Sequence, residues 1–581
     1  MEGKSNASLR LAKEAKPWLK FYDESVPATI DYPPVPLPQL LADAAAHHPE
    51  HPAILFGARV GSRILDGAMT YRQLNEAVNR FAAAMQELGV KKGDRVAIVM
   101  PNCPQYVITF FGVLQAGGIA VPCNFLYTAP ELERQFNDAG AEIAVVLSPY
   151  YSKVCGIRAS TRLRHIVVTN IKEYFPPLLR LLFTLAKEKK EGHKVALAAE
   201  DDRWFQALVS GAAKAATPRQ VAVGPDDTAC LLYTGGTTGV PKGAQLLHRN
   251  LVSNAIAGLS WAHARTTREV IVGALPLFHS YGMTTVMNMT IAGANTMILI
   301  ADPRDVLHIM GSISKHKATF YPGVPTMYVA INNHPQAQEF DLSSIIACQS
   351  GAAPLPREVQ EKFQVLTGAK LMEGYGLSEA SPVTHSNPKE GQNKIGSIGL
   401  PWPDTDAKIV DVDTGEQEMP VGEIGELIIQ GPQVMKGYWQ QSTETANVLR
   451  EHPALGPGPW LHTGDIARTD EEGYFQIVDR KKDMIICGGF NVYPRDVEEA
   501  LFQHPAVKEA AVVGIPDEYR GESVKAFVVL KEGMGAGEEE LIAFCRERLA
   551  KYKVPSAIEF RAELPKSTVG KVLRRELTKT K

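Results

Sequence analysis

Residues 233–243 read Tyr-Thr-Gly-Gly-Thr-Thr-Gly-Val-Pro-Lys-Gly, and these residue types suit the binding of phosphate. Glycine lets the backbone approach an anion closely, successive N–H groups form a nest for it, and threonine hydroxyls with Lys242 add donors and charge. The spacing is not that of a Walker loop, because no Gly-Lys-Ser/Thr follows the first glycine at the required distance, and it is not a dinucleotide GxGxxG. Further strings carry residues fit for polar chemistry: Pro276-Leu-Phe-His279, Gln349-Ser-Gly-Ala-Ala-Pro354, Glu373-Gly-Tyr-Gly-Leu-Ser-Glu379, Trp460-Leu-His-Thr-Gly-Asp465, Asp479-Arg-Lys-Lys-Asp483, Gly488-Gly-Phe490 and Pro565-Lys-Ser-Thr-Val-Gly-Lys571. By residue type alone, Glu379 reads as an exposed loop carboxylate, Lys571 as a solvated surface lysine and His279 as a satisfied core histidine. The strings around them are what single them out.

The elements that must position these residues alternate along the chain. The apolar run 228–233 reads as a buried strand ahead of the glycine loop, and the stretch from Ala244 through Leu251 is expected to open a helix. Upstream, 74–88 has helical spacing (Leu74, Val78, Phe81, Met85, Leu88), 95–100 reads as a strand, 106–115 as a helix, and 119–122 and 141–147 as further strands. Such alternation predicts an α/β fold with parallel sheets flanked by helices. At 581 residues the chain exceeds one domain. Residues 1–36 read as a lead-in with Trp18, Phe21 and Tyr22 as anchors, and 37–480 as a large domain. Past the charged junction near 480, a helix at 496–502, strands at 507–515 and 524–530 and a helix at 538–549 predict a small α+β domain over 481–581.

A formal charge of −3 forces no polyanion-binding surface, so nucleic acid is not an expected partner. The seven cysteines form no CxxC pair, which argues against a zinc site or disulfide scaffold and for a reducing, cytoplasmic setting. The first residues carry no apolar core of a secretory signal. Residues 270–301 contain no Asp, Glu, Lys or Arg, but Pro276, His279, Asn288 and Asn295 interrupt them. Buried strand–loop–helix–strand is the expectation there, not a membrane span. Residues 174–190 combine Tyr-Phe-Pro-Pro-Leu-Leu-Arg-Leu-Leu-Phe-Thr-Leu with Lys187, Lys189 and Lys190. Two readings stay open: a helix lying in the inner face of a membrane, and a packed insertion with a solvated basic end.

In this order the strings resemble the adenylate-forming (AMP-binding) superfamily, which includes acyl-CoA synthetases, firefly luciferase and nonribosomal peptide adenylation domains. The likeness runs from about residue 37 to 575 and is nearest to bacterial long-chain fatty acid–CoA ligases, through Gly235, Val121-Pro-Cys-Asn-Phe-Leu-Tyr127 and Glu379-Ala-Ser-Pro-Val-Thr-His385. The resemblance implies a large domain with a distorted barrel, a small mobile C-terminal domain, ATP and Mg²⁺, and coenzyme A as co-substrate. It assigns the phosphate grip to Thr234, Gly235, Gly236, Thr237, Thr238, Gly239 and Lys242, and Mg²⁺ to Glu379 with Thr234. Gly351, Ala352, Ala353, Glu373, Gly374, Tyr375, Gly376 and Ser378 would form the adenine slot, with Tyr375 stacking on the base. Asp465 and Arg480 would hold the ribose. Lys571 would neutralise the reacting carboxylate and α-phosphate, and His279 would orient the carboxylate. Lys482 occupies the hinge, where many relatives have Asp, and Gly488, Gly489 and Phe490 would line the pantetheine channel after the small domain rotates.

The uncharged 270–301 and 321–328 segments, with Met283 and Met327 as adaptable walls, should line an acyl pocket suited to an alkyl chain. The reaction expected is ATP-dependent activation of a medium- or long-chain fatty acid as acyl-adenylate, then transfer to CoA. Activation of an aryl acid, or loading of a carrier protein from a fatty acyl-adenylate, are the alternatives. A homodimer is compatible with the sequence, and no motif carries it.

Overall fold

A computed structural model describes residues 16–210, 217–234, 241–487, 490–517, 520–567 and 572–578. Among them the chain forms four sheets. In the nine-stranded sheet the inner strands Pro52–Val60, Thr296–Leu299, Val270–Gly273, Phe320–Gly323, Ala347–Ser350 and Lys370–Gly376 run parallel, with antiparallel strands at both edges. The eight-stranded sheet is likewise parallel through Ile119–Pro122, Arg95–Val99, Ile143–Leu147 and His165–Thr169. Helices such as Tyr71–Glu87 and Pro104–Gln115 pack between and around these sheets. The first begins at Tyr71, ahead of the periodic residues, because Thr70 and Gln73 form a reciprocal capping box. A five-stranded antiparallel sheet built from Asp406–Val410, Gly425–Gln430, Leu449–Glu451, Pro459–Thr469 and Phe475–Arg480 completes the larger body.

Beyond Arg480 the fourth sheet starts at Ile485 and pairs Val507–Asp517 with Gly521–Leu530 along their whole length. It carries its own apolar cluster around Val497, Leu501, Val512, Val528 and Leu541. Each such fully buried aliphatic side chain contributes about 1.5–3 kcal/mol of transfer free energy, so this part has a core of its own.

The lead-in residues strap onto the large body as expected. Trp18 packs edge-on to Phe475, Tyr22 packs edge-on to Trp261, and the Tyr22 hydroxyl donates to the Pro401 carbonyl at 2.6 Å. Residues 270–301 are buried as strand, loop, helical turns and strand, with a π-helical stretch at Met283–Asn288. No helix among the described residues is long and apolar enough to cross a membrane.

One local expectation fails. The residues after the glycine loop form a strand, Lys242–Leu247, that pairs back antiparallel on Thr228–Thr234 before the helix His248–Trp261 begins. Gly243, Ala244, Leu246 and Leu247 are buried between neighbouring strands, and pairing with Gly437–Tyr438 on the other side satisfies the ladder. Tertiary pairing therefore overrides the local helical pattern, and the loop joins two strands of a hairpin.

Candidate functional site

The functional strings follow the carboxyl ends of strands in the two large sheets. Thr228–Thr234 leads into the glycine loop, Val270–Gly273 into His279, Ala347–Ser350 into Gly351, and Lys370–Gly376 into Ser378 and Glu379. This is where open α/β sheets place ligands, because loops there are free of the ladder's demands. The backbone at these ends is tight. A Cβ on Gly376 would fall 2.2 Å from the Pro382 carbonyl oxygen, and Ala352, a non-glycine, sits at φ +67°. Left-handed backbone at an L-residue costs free energy and is concentrated at functional turns.

Thr234 ends its strand in register with Lys242, so the two face each other across the hairpin. The Lys242 ammonium is ion-paired with Glu444 and stands 5.3 Å from the centre of the Tyr438 ring. The Tyr438 hydroxyl donates to Glu379 Oε1 at 2.9 Å. Burial holds the Glu379 carboxyl above its ordinary range, while the Tyr438 hydrogen bond and the Arg480 charge pull it down and the Asp465 charge pushes it up. Lys242 and Glu379, 137 positions apart in sequence, are thus joined through one aromatic ring.

Asp465 and Arg480 are direct partners on adjacent antiparallel strands, with Nε to Oδ1 at 3.3 Å. The Tyr375 hydroxyl also donates to Asp465, and burial with the Asp465 charge drives its phenol well up. The Tyr375 ring packs edge-on to His385. Glu373 is 7% exposed, and burial pushes its carboxyl up to about 7 against the opposing charge of Arg495. Ser378 Oγ lies 3.2 Å from Ser280 Oγ, which ties the Glu379 turn to the His279 loop. The Tyr281 N–H is directed at His279 Nδ1 at 3.3 Å. Phe278 packs edge-on to Phe125, bringing the 121–127 segment alongside.

Gly235, Gly236, Thr237, Thr238, Gly239, Gly488, Gly489 and Lys571 lie outside the described residues. Lys482 is exposed in the turn between the two bodies, and Phe490 is 56% exposed and stacked on Tyr552 of its own sheet's domain. In the residues after Lys571, Val572 bridges Lys566, and Arg574 binds Glu498 at 2.7 Å and Asp483 at 3.2 Å.

A cavity lies against the site, lined by Gly258, Trp261, Met289, Cys348, Met372 and Trp402, with Ile271 from the central strand and Gln349 next to the Gly351 turn. Its lining includes Met289 and Met372 and does not include Met283 or Met327. The lining includes one carboxylate, Glu269, which is buried and held by Arg265 at 2.8 Å.

Two residues of this arrangement, Tyr438 and Glu444, carried no weight in the sequence reading. The only local sign is the tight Gly437-Tyr438-Trp439 turn with Thr445 capping the Tyr438 N–H, which by itself marks a turn and no chemistry.

The chain belongs to the AMP-binding enzyme family: that family's model matches residues 41–439, and the model of the AMP-binding enzyme C-terminal domain matches residues 496–571. Among its curated relatives, a long-chain-fatty-acid–CoA ligase of Bacillus subtilis (strain 168) is 46% identical over 566 residues, covering 97% of each chain. Among solved structures, ATP-bound MatB from Rhodopseudomonas palustris superposes with a TM-score of 0.78 at 30% identity, covering 93% of this chain and 98% of that one. A Mycobacterium tuberculosis fatty acyl CoA synthetase matches with a TM-score of 0.70 at 27% identity over 94% of this chain and 97% of its own.

Proposed function

We propose that this AMP-binding enzyme is an acid–thiol ligase that activates a long-chain fatty acid with ATP and passes the acyl group to coenzyme A. The observation that carries the reading is that residues from three different sheets are brought together, Tyr438 linking Lys242 to Glu379 and Tyr375, four residues before Glu379, donating to the Asp465–Arg480 pair, near a cavity walled mainly by apolar side chains. The names of the full-length relatives support the fatty acid as substrate.

In the first step a carboxylate oxygen attacks the α-phosphorus of ATP and the bond to pyrophosphate breaks. Two anions must meet, so the chain's task is to supply positive charge and fixed donors. Lys242 and the 234–239 loop take the β- and γ-phosphates, Arg480 and Asp465 hold the ribose, and the 351–353 and 373–378 turns flank the base. Lys571 neutralises the reacting oxygens with charge-assisted hydrogen bonds. His279 orients the carboxylate. Glu379 and Thr234 fit Mg²⁺, being hard oxygen donors, and a carboxyl raised by burial is one that a cation would return to its ionised state. When bound, Mg²⁺ offsets phosphate charge. In the second step the CoA sulfur attacks the acyl carbonyl, the thiol proton is lost, and the bond to AMP breaks. Rotation about Lys482 would bring Gly488, Gly489 and Phe490 to the pantetheine arm.

On this reading residues 1–36 are a lead-in, 37–480 the large domain and 481–581 the mobile one. The enzyme works in the cytoplasm and meets a membrane peripherally through residues 174–190, as a monomer or a homodimer. ATP–pyrophosphate exchange across a panel of carboxylic acids, with and without CoA, tests the proposal. Exchange should peak with long alkyl acids, and CoA should convert it to thioester formation. No exchange with any acid refutes the enzyme, and a peak with benzoates refutes the fatty acid.

A further inference from the structure

The helix Pro177–Ala186 is attached by one edge only. Leu179 and Phe183 are buried, and Phe183 packs on Phe175, which stacks on Phe56 of the strand Pro52–Val60. The positions Leu178, Leu181, Leu182 and Leu185 recur at i, i+3, i+4 and i+7 and so share one face. That face is open, at 60%, 56%, 40% and 77% exposure respectively. Four leucines on ten residues of a water-soluble helix are far more apolar surface than its fold requires. Arg180 and Thr184 occupy another side, where Arg180 pairs with Glu173 at 2.6 Å.

Charge follows directly on the C-terminal side. Lys172 pairs with Glu188 at 2.6 Å and Lys187 with Glu191 at 3.2 Å, but Lys189, Lys190 and Lys194 have no ion pair among the described residues and are exposed. An apolar helical face flanked by unpaired lysines matches the two layers of an anionic bilayer surface, acyl chains below and phosphate headgroups above. The anchoring strand Pro52–Val60 pairs with Thr296–Leu299, which pairs with Val270–Gly273, whose Ile271 lines the cavity. The strand that anchors the helix is therefore two strand spacings, roughly 10 Å in the sheet, from the strand whose Ile271 lines the cavity.

We infer that the Leu178/Leu181/Leu182/Leu185 face, with Lys189, Lys190 and Lys194, docks the protein on an anionic lipid surface so that it takes its acid from the bilayer. The inference rests on the fatty-acid reading for the purpose of docking, not for the docking itself. The helix lies in the interface plane, leucines inserted and lysines at headgroup level.

The test uses the full chain and the double variant Leu181→Glu/Leu185→Glu, two residues whose exposure makes folding indifferent to them. Co-sedimentation with phosphatidylglycerol/phosphatidylcholine vesicles should be at least about 30-fold weaker for the variant. Lys189→Gln/Lys190→Gln should weaken binding to these vesicles, flatten its salt dependence and leave binding to pure phosphatidylcholine unchanged. Acyl-CoA formation from palmitate dissolved in the vesicles should fall with binding, while turnover of soluble octanoate stays at the wild-type rate. Absence of wild-type vesicle binding, or equal binding by wild type and double variant, overturns the inference. So does a variant that shifts sedimentation from dimer to monomer with vesicle binding unchanged, which would give the face to a second copy. Failure of ATP–pyrophosphate exchange by the wild type would instead refute the enzymatic reading and leave the vesicle result standing.

Discussion

Replacing Tyr438 by Phe removes one hydroxyl and little else, which makes it a clean probe of the link between Glu379 and Lys242. The hydroxyl donates to Glu379 Oε1 at 2.9 Å, in a cleft where burial already disfavours the ionised carboxyl. A hydrogen bond to a charged group contributes about 1.5–3 kcal/mol. Glu379 is half-buried, so the lower end applies. About 1.5 kcal/mol corresponds to roughly a tenfold change in a binding constant. The assay is ATP–pyrophosphate exchange at saturating acid, titrated with Mg²⁺. Tyr438→Phe should raise the half-saturating Mg²⁺ about tenfold and recover the wild-type rate in excess Mg²⁺. The lost bond favoured the ionised form, so the acid limb of the exchange profile should move to higher pH. Thioester formation from supplied acyl-adenylate should be unchanged, which separates positioning from misfolding. An unaltered Mg²⁺ requirement, or a rate loss that Mg²⁺ does not restore, would refute the assignment of Tyr438 as the residue that positions Glu379.

Other expectations follow from the same geometry. Glu373 ionises near 4.5 when unfolded and near 7 when folded, so its carboxyl costs nothing below the first value and destabilises the fold progressively up to the second, by about 3 kcal/mol at most. Glu373→Gln should remove that loss, read as a flatter melting temperature across the window; an unchanged slope would place the titration elsewhere. A Cβ on Gly258 would stand 2.7 Å from Met289 Sδ and 3.1 Å from the Trp402 ring, so Gly258→Val should shift the kcat/KM ratio of palmitate to octanoate about tenfold toward octanoate. An unchanged ratio would mean that the acyl chain does not use this cavity. Lys571→Ala should abolish adenylation far more than thioester formation from supplied acyl-adenylate, and equal loss of both half-reactions would remove Lys571 from its place in the first step.

Much of this protein is readable in one dimension, because its chemistry sits where local patterns end. The apolar run 228–233 is a strand in the structure, Thr228–Thr234, and the 106–115 helix gains only the two residues from Pro104, a proline that suits a first turn. The 538–549 helix is shorter than expected, stopping at Arg546. The strings around His279 and Glu379 stand out because glycines and prolines must shape the turns that follow strands, and those turns leave their mark in composition, whereas Asp465 and Arg480 lie within paired strands.

What only the tertiary structure decides is which of these turns meet. Nothing local indicates that Lys242–Leu247 returns as a strand, since six residues of mixed polarity fit either period and only the neighbouring strands choose between them. Nothing local distinguishes Met289 and Met372, which line the cavity, from Met283 and Met327, which do not. Tyr438 and Glu444 acquire their meaning from Lys242, some 200 residues away, because an ion pair and a hydrogen bond depend on distance in space. The sequence thus determined the chemistry on offer, residue by residue. The fold determined the partners, because long-range packing and charge are properties of assembled surfaces, which spacing along the chain does not record.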